Sequence, residues 1–196
     1  KKISENLSGT VIVVDVQPEY ENYIGFDIAE MLDDLIDNYS KILFLYNGAD
    51  TVGYIDEYGL KQFYFDKLDW DEDRANKLIG KSTFFDKGYG FFRDIMDSDL
   101  CFAYSDIVAL ARYMINTDMH DIRDLSEDDV DKLNIDELLF EDLEDYGFNI
   151  PELNDIIANW NGSSIMGGGK NECLAEVEIL ADARDLVFNR IEKFTF

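Results

Sequence analysis

Four apolar runs along the chain predict buried β-strands. The first, residues 10–16, is a nearly continuous series of β-branched side chains, which is typical of a strand buried on both faces of a parallel sheet. Residues 41–46, 82–87 and 163–166 form the other three runs. Over residues 187–196 apolar and polar positions alternate instead, which predicts a half-exposed strand at the edge of the sheet.

The segments between these runs carry apolar residues at helical spacing. Residues 26–39 are the clearest example, with apolar positions three and four residues apart that define one face of an amphipathic helix. Similar patterns predict helices over residues 60–68, 71–79, 91–96, 102–115 and 151–160, and in the segment that begins near Cys173. Because a strand, a helix and a second strand in succession normally form a right-handed parallel crossover, this order predicts an α/β fold with a mostly parallel sheet.

Residues 118–145 differ from the rest of the chain in charge. They contain thirteen acidic residues and only two basic ones, Arg123 and Lys132. Apolar residues are interleaved with the acids, whereas disordered segments have few of them. We therefore predict short helices, one of which starts after Ser126 in a loose capping box. The chain is expected to be a single domain, residues 1–196, in which residues 101–149 form an acidic, mostly helical insertion or cap.

The whole chain is strongly acidic, with 43 Asp and Glu against 17 Lys and Arg, which gives a formal net charge of −26. Such a charge repels the phosphates of nucleic acids and anionic membranes, so we expect no direct nucleic-acid binding. Three explanations for the charge remain open. They are solubility, a docking surface for a basic protein partner, and mimicry of nucleic acid toward a protein that binds it.

Composition also bears on location. No apolar run approaches the roughly 20 residues that a membrane-spanning helix needs. The two cysteines, Cys101 and Cys173, lie far apart in the sequence and suggest no disulfide framework. We therefore expect a protein of the reducing cytoplasm that does not associate with membranes.

Residues 164–174 indicate a site of chemistry. They form a short apolar run, three consecutive glycines and the start of a helix, for which Asn171 is a suitable N-cap. Cys173 is expected in the first helical turn, where the helix dipole and unpaired N–H groups favour a thiolate and can stabilise an oxyanion. The candidate substrate or oxyanion contacts are Gly168, Gly169, Asn171 and Glu172. The alternative is that Cys173 is a small buried packing residue.

Two charged residues follow predicted strands. Asp15 ends the first strand, and α/β sheets place their ligands at the carboxyl ends of such strands. A loop-capping role is the alternative for this carboxylate. Lys87 ends the third strand, where it either carries a surface charge or forms a buried pair that assists a nearby thiol.

In chain order, Asp15, Lys87 and Cys173 resemble the pattern of the isochorismatase-like cysteine hydrolase superfamily, which includes nicotinamidases and carbamoylases. The first motif is Val-Val-Asp-Val-Gln at residues 13–17, and the second is Lys-Gly-Tyr-Gly-Phe-Phe at residues 87–92. The third is the glycine turn before the cysteine. The closing segment is also similar to uncharacterised bacteriophage proteins with Gly-Gly-Gly and Asn-Glu-Cys-Leu patterns.

The resemblance covers residues 10–100 and 150–196. It implies a three-layer Rossmann-like sandwich in which Asp15 is the general base and Lys87 lowers the pKa of the thiol. It further implies that Cys173 attacks an amide or related carbon to form a thioester-type intermediate. Proteins of this superfamily are often oligomers, so a homo-oligomer is also implied.

Two of the features that depart from that family bear directly on its chemistry. Residues 47–66 contain no histidine, although nicotinamidases carry an Asp-x-His metal site there, so neither a metal nor another cofactor is expected. Glu172 opposes thiolate formation at Cys173 if its side chain points inward. Two functions are therefore considered. One is a metal-independent cysteine hydrolase of small amides or esters, and the other is a non-catalytic acidic protein that docks on a basic partner or mimics nucleic acid.

Overall fold

The computed structural model describes residues 9–48, 54–88, 103–133 and 150–196. Its central element is a sheet of five strands, β1 (Thr10–Val14), β2 (Lys41–Tyr46), β3 (Ser82–Asp86), β4 (Ser164–Gly167) and β5 (Asn189–Thr195). The spatial order is β3-β2-β1-β4-β5, and every pairing between neighbours is parallel. Helices flank this sheet, so the predicted α/β fold class is confirmed, in agreement with a three-layer Rossmann-like sandwich.

The helices agree with the predicted pattern to within a few residues. They are α1 (Ile28–Asn38), α2 (Glu57–Lys67), α3 (Glu72–Gly80), α4 (Tyr104–Asn116), α5 (Glu127–Leu133), α6 (Leu153–Ile157) and α7 (Cys173–Ala183). Short 3-10 helices occupy Pro18–Tyr23, Ile122–Asp124 and Ala158–Trp160. The helix predicted over residues 91–96 lies outside the described residues. None of the helices in the described ranges is long and apolar enough to cross a membrane.

The chain divides into two compact units. The first lies within Lys1–Tyr89, Trp160–Leu174 and Val187–Phe196, and it contains the whole sheet. The second lies within Gly90–Asn159 and Ala175–Leu186. The predicted acidic insertion falls inside the second unit.

Strand β1 is buried on both faces. Val11 and Val13 belong to a core shared with α1, α2 and α3, and they are at most 1% exposed. Ile12 and Val14 point to the opposite face and are 0% exposed. Burial on both faces explains why this strand is a continuous β-branched run instead of an alternating one.

In the second unit, acidic side chains face outward around a small apolar core. Ile122, Leu125 and Val130 are buried. The exposed acidic residues around them are Asp124, Glu127, Asp128 and Asp131. The described part of the acidic segment is therefore folded, while residues 101–102 and 134–149 of the predicted insertion lie outside the described residues.

Strand β5 lies at one edge of the sheet, as the alternating sequence predicts. Glu192 and Lys193 are exposed, whereas Phe194 and Thr195 are buried. An edge strand presents main-chain groups that another chain can pair with. The homo-oligomer implied by the resemblance stays a prediction.

Candidate active site

The carboxyl ends of four strands meet at one edge of the sheet. Val14 pairs with both Leu45 and Gly167, and Tyr46 pairs with Asp86. Because parallel strands lie about 4.8 Å apart, the residues that follow them lie side by side. These residues are Asp15, Asn47, Lys87 and Gly168. The strand order reverses direction between β1 and β4, and α/β sheets bind ligands at such a switch point.

Asp15 and Lys87 form a buried ion pair at this edge. The Lys87 Nζ lies 3.1 Å from the Asp15 Oδ2, and the two side chains are 2% and 1% exposed, respectively. Both residues are tied to β2, because the Asp15 N–H donates to the Leu45 carbonyl and the Lys87 N–H donates to the Tyr46 carbonyl, each at 2.9 Å. Of the two interpretations of Lys87, a surface charge and a buried partner, the structure shows the buried partner.

Asp15 also has an unusual backbone. Its φ angle is +53°, in the left-handed region that residues other than glycine seldom adopt. This conformation turns the chain sharply after Val14, the last residue of β1. Backbone strain of this kind persists only where surrounding contacts hold it, and it is frequent at functional sites.

Gln17 joins the loops that follow β1 and β2. Its side-chain nitrogen donates to the Asn47 carbonyl at 3.0 Å, and its side-chain oxygen accepts the Asn47 N–H at 2.9 Å. Both residues are buried. The sequence analysis did not select either of them, although a polar residue just after an apolar run was the available signal. Their pairing fixes the loop that carries Asp15.

Tyr64 contacts the same loop from α2. Its hydroxyl donates to the Val16 carbonyl at 2.6 Å, and the residue is 1% exposed. Burial, and then the nearby charge of Asp15, raises the pKa of Tyr64 well above its ordinary value. The hydroxyl therefore keeps its proton at physiological pH. In the sequence Tyr64 is one of many aromatic residues between 54 and 70, and nothing distinguishes it from the others.

Gly167 and Gly168 lead the chain from β4 into the predicted turn. Gly167 has a φ angle of +104°, and a Cβ there would lie 2.0 Å from the Val14 carbonyl oxygen. The Gly168 N–H donates to that same oxygen at 2.9 Å. A Cβ on Gly168 would lie 2.6 Å from the ring of Phe196. Only glycine fits at these two positions without a shift of its neighbours. The peptide bond between Gly168 and Gly169 is cis.

Cys173 is the first residue of α7 and is 7% exposed. It thus occupies the first helical turn, beside the positive end of the helix dipole. The helix begins two residues after Asn171, the predicted N-cap, and Glu172 precedes it directly. The reason is an additional turn, in which the Gly169 carbonyl accepts the N–H groups of both Glu172 and Leu174 at 3.0 Å.

Main-chain hydrogen bonds distinguish the N–H groups of the four predicted oxyanion contacts from one another. The N–H of Gly168 is engaged by Val14, and that of Glu172 is engaged by Gly169. In the described parts of the chain, no hydrogen bond engages the N–H of Gly169 or Asn171. Of the four predicted contacts, Gly169 and Asn171 are therefore the two whose N–H groups have no acceptor among the described residues, and the oxyanion role stays a prediction.

The Glu172 carboxylate lies beside the glycine turn. Its Oε2 is positioned 3.2 Å from where a Cβ on Gly169 would stand, while the residue remains exposed to solvent. A negative charge next to Cys173 disfavours the thiolate. Solvent exposure weakens this repulsion.

Within the four described ranges, no group of three or more His, Cys, Asp or Glu side chains is placed to hold a metal ion. His120 lies in the second unit, where it is exposed near Asp118.

Comparisons with protein-family models, with curated proteins and with solved structures found no match for this chain. The class of protein is therefore defined by fold and site alone. It is a parallel α/β protein that carries a buried Asp–Lys pair, a glycine turn and a helix-initiating cysteine at the carboxyl ends of β1, β3 and β4. Membership of the isochorismatase-like superfamily stays a prediction.

Proposed function

We propose that this protein is a metal-independent cysteine hydrolase of small amides or esters, and a divergent member of the isochorismatase-like superfamily. The observation that carries the proposal is the buried Asp15–Lys87 pair, at the sheet edge where the glycine turn leads to Cys173. Burying two charges is costly, and charged groups buried in this way are frequent at functional sites. The reactive thiol would work in the cytoplasm, where thiols stay reduced.

The residues of the site have complementary roles in this reaction. Asp15 accepts the proton of the Cys173 thiol, and Sγ attacks the carbonyl carbon of the substrate. The N–H groups of Gly169 and Asn171 stabilise the oxyanion that forms. Asp15 then gives its proton to the departing amine or alcohol, which leaves a thioester on Sγ. A water molecule that Asp15 deprotonates cleaves the thioester and restores the thiol, while Lys87 compensates the charge of the buried carboxylate.

The first expected result concerns the reactivity of Cys173 toward iodoacetamide. In a Cys101→Ser background, the alkylation rate should rise with a midpoint well below about pH 8.5, the value for an ordinary thiol. Asp15→Asn should slow alkylation at neutral pH at least about tenfold, because general-base assistance is typically worth 10²- to 10⁴-fold. Asp66→Asn removes an exposed carboxylate of α2 and should leave the rate unchanged.

A midpoint at or above pH 8.5 would contradict the proposal, because the burial of Cys173 and the charge of Glu172 would then control the thiol. The complementary measurement is hydrolysis of a panel of small amides and esters. Cys173→Ala should abolish any hydrolysis that the Cys101→Ser protein retains.

A second function, docking on a basic protein partner, is supported by the outward face of α5. Its exposed acids Glu127, Asp128 and Asp131 form a folded acidic surface around buried Val130. A partner of this chemistry includes a nucleic-acid-binding protein whose ligand the surface mimics. Asp129 is left out of the substitutions below, because its carboxylate accepts hydrogen bonds from the Tyr113 hydroxyl and from Ser126, which lower its pKa to about 2.

This second function predicts a local effect of charge removal. Replacing Glu127, Asp128 and Asp131 with Gln or Asn should weaken binding to a polyarginine peptide, most strongly at low salt. The matched control replaces Asp66, Glu72 and Asp73, which are exposed acids of α2 and α3. The two variants have the same net charge, so equal loss of binding in both, measured by titration at several salt concentrations, would count against a dedicated surface on α5.

A further inference from the structure

We propose that Tyr64 is a positioning residue for Asp15, whose hydroxyl holds the loop that carries the general base. This inference rests on the proposed function, since it assigns Tyr64 a role in the same site. Tyr64 is not in the sequence motif of Asp15, and it reaches the loop from a different element, α2.

Hydrogen bonds anchor each residue of the loop formed by residues 15–17. The N–H of Asp15 donates to β2, and the side chain of Gln17 pairs with the main chain of Asn47. Between these two anchors, the Val16 carbonyl accepts the hydrogen bond from the Tyr64 hydroxyl at 2.6 Å. Because Val16 directly follows Asp15, this hydrogen bond holds the chain immediately after the general base.

Asp15 depends on such support. Its left-handed φ angle of +53° is unfavourable for a residue with a Cβ, so a released loop would move toward an ordinary conformation and shift the carboxylate.

Tyr64 is itself rigidly held. Its ring lies 4.9 Å from that of Phe44 and 5.7 Å from that of Phe63, measured between centroids. The hydroxyl remains protonated, because burial and the charge of Asp15 both disfavour a phenolate. The Lys87 ammonium lies 3.1 Å from the Asp15 carboxylate, and the neutral phenol of Tyr64 is close enough to sense its charge. The Tyr64 hydroxyl therefore holds the Val16 carbonyl without adding a second charge beside Asp15, whose carboxylate is already paired with Lys87.

A purely structural role is the competing explanation. A buried carbonyl such as that of Val16 needs a hydrogen-bond donor in any folded protein. Such a role predicts that removing the hydroxyl lowers stability without any specific effect on the chemistry of Cys173. The two explanations therefore differ in whether the effect of Tyr64 passes through Asp15.

A double-mutant cycle in the Cys101→Ser protein separates them. Tyr64→Phe keeps the ring and removes only the hydrogen bond to Val16. It should slow iodoacetamide alkylation of Cys173 at neutral pH about tenfold and move the midpoint of the pH profile upward, because small displacements of a catalytic group can cost up to about 100-fold. In an Asp15→Asn background, the same change should have no further effect on alkylation.

Tyr39→Phe is the matched control. The Tyr39 hydroxyl bonds to Ser164, at the amino end of β4 and therefore away from the site. Because Tyr39 is only half-buried, Tyr39→Phe should lower the unfolding temperature by no more than Tyr64→Phe does, and it should leave the alkylation profile unchanged. Circular dichroism confirms that each variant is folded before its rate is compared.

The outcomes are distinct. If Tyr64→Phe leaves the alkylation profile unchanged, or slows alkylation equally with and without Asp15, Tyr64 does not position Asp15 and the inference is overturned while the proposed function stands. If Asp15→Asn itself leaves the profile unchanged, the proposed function is overturned, and the inference with it.

Discussion

Replacing Gly167 with alanine is expected to prevent stable folding. A Cβ at this position would lie 2.0 Å from the Val14 carbonyl oxygen and 2.8 Å from the Val14 nitrogen. These are main-chain atoms of β1, which is paired on one side with β2 and on the other with β4, so they cannot shift without breaking the sheet. The φ angle of +104° adds strain for any residue with a side chain. The loss should exceed about 4 kcal/mol, which is exceptional for one substitution and a large part of a typical stability of about 5–15 kcal/mol.

Chemical denaturation followed by circular dichroism measures this effect. Gly80→Ala is the matched control, since Gly80 ends α3 and a Cβ there would meet open space. That variant should be neutral or more stable by up to about 1 kcal/mol, because alanine reduces the freedom of the unfolded chain. If the Gly167→Ala protein were as stable as the Gly80→Ala protein, Gly167 would not lie against the main chain of Val14.

Lys87→Met is expected to have the next largest effect. The substitution removes the ammonium group that lies 3.1 Å from the Asp15 carboxylate, in a pair whose side chains are at most 2% exposed. Breaking a buried pair from one side costs about 3–5 kcal/mol, because the remaining charge is buried without compensation. The loss in the free energy of unfolding should become smaller as the pH is lowered, since protonation neutralises a buried carboxyl group.

Two further variants test this interpretation. The double variant Asp15→Asn/Lys87→Met removes both charges and should recover most of the lost stability, because an uncharged pair is much less costly to bury. Lys61→Met breaks the ion pair between Lys61 and Glu57, which lie 3.4 Å apart within α2 and have side chains 28% and 51% exposed. This substitution should cost less than about 1 kcal/mol. Similar losses for Lys61→Met and Lys87→Met would show that Lys87 is not a buried partner of Asp15.

The central strands could be predicted because their signals are local. β2 has the predicted limits, and β1 ends within two residues of them, since a β-branched run buried on both faces has few other structures available. Helix α1 could also be predicted from the sequence, because apolar residues recur at helical spacing along it. At its start the Asp27 carboxylate accepts a hydrogen bond from the Ala29 N–H at 2.9 Å. The first residue of α7 was harder to predict from the sequence, since it depends on the hydrogen bonds that the Gly169 carbonyl accepts in the preceding turn.

The candidate site was predictable only in part. Asp15 and Lys87 could be selected because each follows an apolar strand, where α/β proteins place ligands. Tyr64 could not be selected, because its role depends on one hydrogen bond to Val16, a residue distant from it in the sequence. The four predicted oxyanion contacts are likewise equivalent in the sequence, and only their hydrogen bonds separate Gly169 and Asn171 from the other two.

The sequence by itself determined the α/β class, the parallel strands and the residues that stand at their ends, because side-chain periodicity and main-chain propensity act over a few neighbouring residues. Only the tertiary structure decided that β1 lies between β2 and β4, that the Lys87 ammonium reaches Asp15, and that the glycine turn packs against the main chain of β1. These contacts join segments far apart in the chain. They depend on the order and register in which the strands pair, which no local pattern specifies.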